Sequence, residues 1–431
     1  MSTVAIGFMG LAVVFALIAA GMPIGFAMGL VGFAGFAAII SFDAAVVRIG
    51  VTTYGIVTNH AIGTIPLFLF MAHLMFASGI GKDMYEFAAK WIGRRRGGLA
   101  MATIGASAGF ASVSASSLAT TATMGLVAMP EMRKHKYDLS LASGSVVAGG
   151  TIGALIPPSG MFIIYGILTE TSIGAMFAAG IIPGILLAVF YIITIAIICR
   201  INPDAGPRGP KYTFREKLRS FKTTGEVIFL FGLVMGGIIL GWFTPTEAGA
   251  VGAFGAIVIT AARGRLTWAT ARTAIYATVK TTGMIFGILF GALVFNSFIT
   301  VTRIPLHIVD FVSNSGFAPM TVLLLILVVY FVLGMVLDAS AMMTLTVPLF
   351  FPLVTNMGFD AVLFGVLVVR MTEIALITPP VGMNVYILSG VARDVPLNKI
   401  FRGALPFVGA DILHVALLIA FPMLVLWLPY L

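Results

Sequence analysis

The chain has 431 residues, of which 60% are apolar and 10% charged, with 25 Lys and Arg against 16 Asp and Glu. Soluble domains carry about 45–50% apolar and about 25% charged residues, so this composition excludes a soluble enzyme, a nucleic-acid-binding domain and a disordered chain. The surplus of positive charge fits basic loops that orient membrane helices, and the single cysteine, Cys199, excludes an intrachain disulfide and a multi-cysteine metal site.

A membrane-spanning helix needs about 20 apolar residues. Spans are expected at 3–20, 23–40, 64–80, 140–168, 174–199, 226–243, 247–262, 273–298, 362–390 and 403–429. The first stretch does not fit a signal peptide: no basic residue precedes Arg48, and a second apolar segment follows at once. Segment 82–93 puts Met84, Phe87, Ala88 and Trp91 at helical spacing on one face and reads as an interfacial helix. The stretches 98–132 and 319–356 fit a single crossing badly, because each is long and has a polar middle. Arg94, Arg95 and Arg96 precede the first, and Arg133, Lys134, His135 and Lys136 follow it. Both clusters are cytoplasmic by the positive-inside rule, so 98–132 enters and leaves on one side. It reads as a re-entrant helical hairpin around Ser112, Ser114, Ser116 and Ser117, each arm with about half the apolar length of a crossing; two complete spans are the alternative. The largest basic loop, from Arg200 to Lys222, also falls inside in this scheme. The second hairpin, 319–356, lacks basic residues at its immediate flanks and opens outside, where Arg303 and His307 precede it.

Pro157-Pro158 and Pro379-Pro380 lie 222 residues apart. At that shift, ten of the 32 positions from 130 to 161 are identical, among them Pro130 with Pro352, Asp138 with Asp360 and Gly160 with Gly382. Average residue usage would give about 2–3 matches by chance. Pro23 with Pro245 and Gly10 with Gly232 extend the pattern upstream. Each half then holds five crossings and a hairpin, and an odd number of crossings turns the second half upside down. The expected units are 1–222, with hairpin 98–132 and broken helix 140–168, and 223–431, with hairpin 319–356 and broken helix 362–390. The fold class is an all-α integral membrane protein, an inverted-repeat transporter with two re-entrant hairpins and two broken helices. If the prolines merely kinked helices for packing, the matched hairpins would be coincidences.

The chemistry follows from the breaks ALIPPSGM (154–161) and LITPPVGM (376–383). Adjacent prolines lack N–H donors and unwind the helix, which frees carbonyl oxygens in a low-dielectric setting. A bare carbonyl there costs several kcal/mol, and a hard cation such as Na⁺ satisfies several at once. The hairpin tips, 112–117 and 334–340, add the hydroxyls of Ser112, Ser116 and Ser340 and the carboxylate of Asp338. Arg370 and Glu373 lie one turn apart inside a span. They are either a self-neutralising pair or a place where Arg370 holds an anionic substrate. His60, His73 and His414 are scattered and read as ordinary polar contacts. No HExxH, Walker A, GxSxG or paired-cysteine motif occurs, so nothing argues for an enzyme or a primary pump.

Several stretches now carry a resemblance: IPLFLFMAHLMFASGI (65–80), SASSLATTATMGLVAMPEM (114–132), GGTIGALIPPSGMFIIYG (149–166), AAGIIPGILL (178–187), FTPTEAGAVGA (243–253) and LITPPVGMNVYILSG (376–390). Over essentially its whole length the chain resembles the large membrane subunit of tripartite ATP-independent periplasmic (TRAP) transporters, the DctM-type family. The resemblance implies an elevator-type, Na⁺-coupled importer of an organic anion, of carboxylate or sialic acid type, in the bacterial inner membrane. It implies two partners besides membrane lipid, a small four-helix membrane subunit (DctQ-type) and a periplasmic substrate-binding protein (DctP-type). It also suggests one cation site per half, between hairpin tip and Pro-Pro break. In the second half the site takes Gly334, Leu337, Ala375, Thr378 and Val381, and the 222-residue shift gives Ser112, Ala115, Gly153, Ile156 and Ser159. The substrate candidates are Ser116, Asp338, Ser340 and Arg370. Arg370 departs from the family, where an uncharged residue is common. The main alternative is a stand-alone cation-coupled carboxylate symporter. A channel would show rings of charge or a filter loop, and neither is visible.

Overall fold

The computed structural model describes residues 2–314 and 316–431, without the side chains of Lys222, Thr223 and Ser313. The side chain of Lys222, placed above in the basic loop, therefore lies outside the described residues. The described residues form helices and no strands.

The first half runs α1 (Thr3–Ala19), α2 (Ile24–Ile39), α3 (Phe42–Thr58), α4 (Thr64–Ala77) and α5 (Ile80–Ile92). It continues with α6 (Gly98–Ser114), α7 (Ser117–Lys134), α8 (Leu139–Thr151), α9 (Gly160–Thr169) and α10 (Ile173–Ile201). The second half runs α11 (Phe214–Ile239), α12 (Pro245–Ala262), α13 (Trp268–Thr302), α14 (Ile304–Asn314) and α15 (Pro319–Gly334). It ends with α16 (Ala339–Asn356), α17 (Ala361–Ala375), α18 (Met383–Val391), α19 (Leu397–Ala420) and α20 (Met423–Leu426). The order hairpin, then broken helix, thus occurs twice: α6–α7 before α8–α9, and α15–α16 before α17–α18. Asp138 and Asp360 match because each caps the start of a broken helix. Asp138 Oδ1 accepts from the N–H groups of Ser140 and Leu141 at 2.9 and 3.0 Å, and Asp360 Oδ1 from those of Val362 and Leu363 at 2.7 and 3.1 Å.

Six helices among the described residues are long and apolar enough to cross a membrane by themselves: His60–Ala77, Ile173–Ile201, Pro245–Ala262, Trp268–Thr302, Ala339–Asn356 and Leu397–Ala420. Large apolar side chains such as Phe254, Tyr276 and Val279 point outward, as lipid contact requires and water does not permit over so wide a surface. The chain is a multi-pass membrane protein.

Four expectations change. The hairpin arms have 17, 18, 16 and 18 residues, or about 25 Å each at 1.5 Å per residue, well over half a crossing. Helix α3 was not among the expected spans, because Asp43 and Arg48 dilute its apolar run; Arg48 Nε donates to Ser297 Oγ at 2.7 Å. The short α14 and the early start of α11 at Phe214 were also missed, the latter set by a Thr213–Glu216 capping box. The expected single face of segment 82–93 splits in α5. Met84 and Ala88 are buried, while Phe87 and Trp91 stack on Phe221 of α11 at 5.0 and 5.5 Å between ring centroids.

Glycine sets the closest helix contacts. Helix α2 packs on α13 and α8 on α19. A Cβ on Gly25 would lie 2.5 Å from the Gly287 carbonyl oxygen, and one on Gly291 would collide with that of Gly25. On the α8–α19 contact, a Cβ on Gly403 would collide with the Ser140 carbonyl oxygen. Without a hydrophobic driving force between helices in lipid, such close packing supplies much of the association. Gly403→Val should therefore lower the thermal midpoint in detergent by about 2–4 °C or more, as expected for an overpacking cost of about 1–3 kcal/mol. Gly409→Val, on the same helix with open space around the glycine, should leave it unchanged.

Candidate functional site

Each Pro-Pro break sits against a hairpin tip. In the first half the tip is Ala115, left-handed at φ 51°, followed by Ser116, whose hydroxyl caps α7 by accepting from the Ala119 N–H at 3.3 Å. Gly160, after the break, donates its N–H to the Ala115 carbonyl at 3.4 Å. A Cβ on Gly153 would lie 2.9 Å from Thr120 Oγ1 and 3.0 Å from the Ser116 carbonyl oxygen. In the second half a Cβ on Gly334 would lie 2.8 Å from the Ala375 Cβ. The small residues at 153 and 375 thus let the tips approach their breaks. Both Pro-Pro bonds are cis.

Ser112 and Ser159 donate their hydroxyl protons to the carbonyls of Gly109 and Ala154 at 2.6 and 2.5 Å, which leaves their oxygen lone pairs facing elsewhere. Thr378 Oγ1 donates to the Ile374 carbonyl at 2.7 Å. Ile156 and Leu337 are buried and apolar, so they offer backbone oxygens alone; Val381 is half-buried. Among the described residues no three His, Cys, Asp or Glu side chains cluster as a metal site. A bound ion would be held by carbonyls and hydroxyls, a hard-oxygen set suited to an alkali cation.

Between the tips lies a cavity of about 140 Å³. Ser116 and Ser117 come from the first tip, Asp338 and Ser340 from the second, and Glu373 from α17. Ala154, Gly160 and Met161 line it from the first break, and Thr281 and Met284 from α13. Asp338 also caps α16, its Oδ2 accepting from the Ser340 N–H at 3.0 Å. Glu373 is 1% exposed and its Oε2 has no hydrogen-bond partner among the described residues. The expected substrate residues Ser116, Asp338 and Ser340 therefore share one chamber.

Arg370 is placed elsewhere. It is fully buried, does not line the chamber, and pairs with Asp411 of α19 at 2.5 Å. Tyr191 of α10 donates to the same Asp411 oxygen at 2.5 Å, and Thr151 of α8 lies 2.9 Å from the Tyr191 hydroxyl. Neither sequence expectation for Arg370 describes this: its counter-ion is 41 residues away rather than at Glu373. The available signal was an aspartate inside the apolar span 403–429, since an intramembrane charge calls for an opposite one. His73 and His414 make ordinary polar contacts, with Thr281 at 3.4 Å and the Pro183 carbonyl at 3.0 Å.

Comparison with known proteins matches residues 11–424 to the family model "Tripartite ATP-independent periplasmic transporter, DctM component". The chain is 34% identical over 372 residues to the C4-dicarboxylate TRAP transporter large permease protein DctM of Pseudomonas aeruginosa, covering 86% of each. It is 33% identical over 418 residues to the sialic acid TRAP transporter large permease protein SiaM of Vibrio cholerae, covering 96% of each. It is also 33% identical over 393 residues to the 2,3-diketo-L-gulonate TRAP transporter large permease protein YiaN of Escherichia coli, covering 91% of each. Among solved structures, the YdaH transporter of Alcanivorax borkumensis superposes with a TM-score of 0.62 at 14% identity, over 86% of this chain and 88% of that one. MtrF of Neisseria gonorrhoeae does so at 0.64 and 14% identity, over 88% and 84%. These two likenesses concern the fold.

The Arg370–Asp411 pair yields a stability test. Asp411→Ala leaves a buried guanidinium uncompensated and should cost about 3–5 kcal/mol. Removing both charges, in Arg370→Met with Asp411→Leu, should recover most of the loss of thermal midpoint in detergent. A double variant no more stable than Asp411→Ala would contradict the pairing.

Proposed function

The chain belongs to the DctM family of TRAP transporter large permease subunits, and from that premise we propose that it imports an organic anion together with Na⁺. The observation that carries this reading is the chamber itself: two hairpin tips and two broken helices meet around Ser116, Ser340, Asp338 and Glu373. Hydroxyls and freed backbone groups suit a small oxygen-rich solute. The relatives' names point to carboxylates and sugar acids, and an anion of that class is the cargo proposed here.

A carboxylate beside the cargo supplies the reason for coupling. An anion brought next to Asp338 is repelled, and the repulsion grows in a low-dielectric chamber. Na⁺ held at the carbonyls of Gly153 and Ile156, and of Ala375 and Thr378, would reverse the local charge and let the anion bind. Cation binding and anion binding are then linked free energies, which is the condition for symport. The two halves, α1–α10 and α11–α20, act as inverted repeats, and the unit of hairpins and broken helices moves as an elevator against the remaining helices. A periplasmic binding protein delivers the anion, a small four-helix subunit completes the permease, and the assembly sits in the inner membrane.

Reconstitution in liposomes tests the reading. With the cognate binding protein outside, uptake of a carboxylate or sugar acid should require an inward Na⁺ gradient and no ATP. Equal uptake in Na⁺-free vesicles driven by protons would remove the Na⁺ assignment; equal uptake without the binding protein would favour a stand-alone symporter. Gly153→Leu and Ala375→Leu should each reduce uptake at least about a hundredfold, as expected for misplacement of a tip by an ångström or more. Membrane insertion, read by protease protection, should be unchanged.

A further inference from the structure

On the face that carries the arginine-rich loops, the α5–α6 turn and the α10–α11 loop enclose a concave space of about 510 Å³. Five cationic side chains line it: Arg94, Arg95, Arg96, Arg208 and Lys217. The positive-inside rule accounts for basic residues on this face but not for their fixed convergence. The convergence is built by backbone. Gly97 donates its N–H to the Gly206 carbonyl at 2.8 Å, and Gly209 donates to the Gly93 carbonyl at 3.0 Å. A Cβ on Gly209 would lie 2.6 Å from the Gly93 oxygen, and one on Gly206 would lie 2.8 Å from the Gly97 Cα. Only glycine lets these two loops approach so closely.

No acid among the described residues forms a salt bridge with any of the five. Asp204, in the α10–α11 loop, is exposed and pairs with none of the five, and two other carboxylates are committed elsewhere. Asp83 binds Arg263 and Arg265, and Glu216 holds the N–H and hydroxyl of Thr213. Five like charges held together call for an external anion.

The rim says which kind. The Lys217 ammonium stands 5.7 Å from the Trp91 ring centroid, and Trp91 packs edge-on against Phe221. Beside them Phe214, Leu218 and Phe221 are exposed on the same stretch of α11. Exposed aromatic and aliphatic side chains next to a basic hollow match a headgroup with acyl chains attached, and are of no use to a free ion. Five cationic side chains also far exceed the single negative charge of one phosphodiester. We propose that this cradle binds an anionic phospholipid with two phosphates, diphosphatidylglycerol, and so ties α5, which leads into the first hairpin, to α11.

The test uses the purified full chain in detergent, with diphosphatidylglycerol, phosphatidylethanolamine and inorganic pyrophosphate as probes. Native mass spectrometry should retain diphosphatidylglycerol, and that lipid alone should raise the thermal midpoint. R208Q with K217Q should weaken its binding about thirtyfold, at about fivefold for each basic residue removed at a membrane surface. Arg95→Gln, on the other loop, should weaken it about fivefold and serves where the double variant fails to fold. Equal binding of phosphatidylethanolamine, or undiminished binding in the folded variants, overturns the proposal. A matching shift from pyrophosphate assigns the hollow to a free anion and overturns the lipid.

Discussion

Unwound backbone inside a membrane has to find partners within the protein, because no water is there to supply them. Both Pro-Pro breaks impose that demand, and the architecture around them answers it. The first break is covered by the first hairpin tip, down to the bond from Gly160 to Ala115. In the second, the Asn384 N–H reaches back across the break to the Leu376 carbonyl at 3.1 Å. The hairpins are also crossed between the halves. Helix α7 packs on α18, the far half of the second broken helix, and α16 packs on α9, the far half of the first. Neither half could cover its own break fully without the other. The broken helices are therefore also the places where the halves interlock.

A second constraint is charge. Arg370 and Asp411 are both fully buried, and taking each from water costs several kcal/mol before their attraction is counted. The pair does not persist as isolated ions: Tyr191 and Thr151 extend it into a chain of hydrogen bonds across α17, α19, α10 and α8. These helices frame the two broken segments. A mispositioned helix would strand a charge, so the chain of contacts selects one arrangement of the four. Glu373 is separate from it and faces the chamber, one turn from an arginine that is already neutralised by another residue.

Much of this was legible in the residues because the chemistry was local. Proline pairs in apolar spans have one physical consequence, and their recurrence at a fixed spacing with Asp138 and Asp360 marked both broken helices. Polar residues in the middle of long apolar stretches marked the hairpins, though not the length of their arms, and Ser116, Asp338 and Ser340 followed as chamber residues. Tertiary facts were not legible. The counter-ion of Arg370 is set by how α17 and α19 cross, and no spacing encodes that. Helix α3 was hidden because Asp43 and Arg48 dilute its apolar run, and the partner that accommodates Arg48, Ser297, lies 249 residues away. Phe87 and Trp91 left the expected face of α5 because Phe221, on a helix far along the chain, offers them rings to stack on.

The two breaks share a sequence pattern but not an environment. Pro157 and Pro158 are buried, whereas Pro379 and Pro380 are exposed. Under the proposed mechanism this difference is informative. Related repeats placed in opposite orientations can exchange conformations, so an arrangement that closes one break and opens the other has a counterpart with the roles reversed. The exchange demands that both tips tolerate either state, which limits what can fill positions 153 and 375. Glycine and alanine leave the tips free to approach through backbone atoms, whereas a large side chain at either place would hold one tip away in both states. The identity of the side chains at the two sites can therefore drift, as Ile156 against Thr378 and Ser159 against Val381 have done, while their size at the point of closest approach cannot.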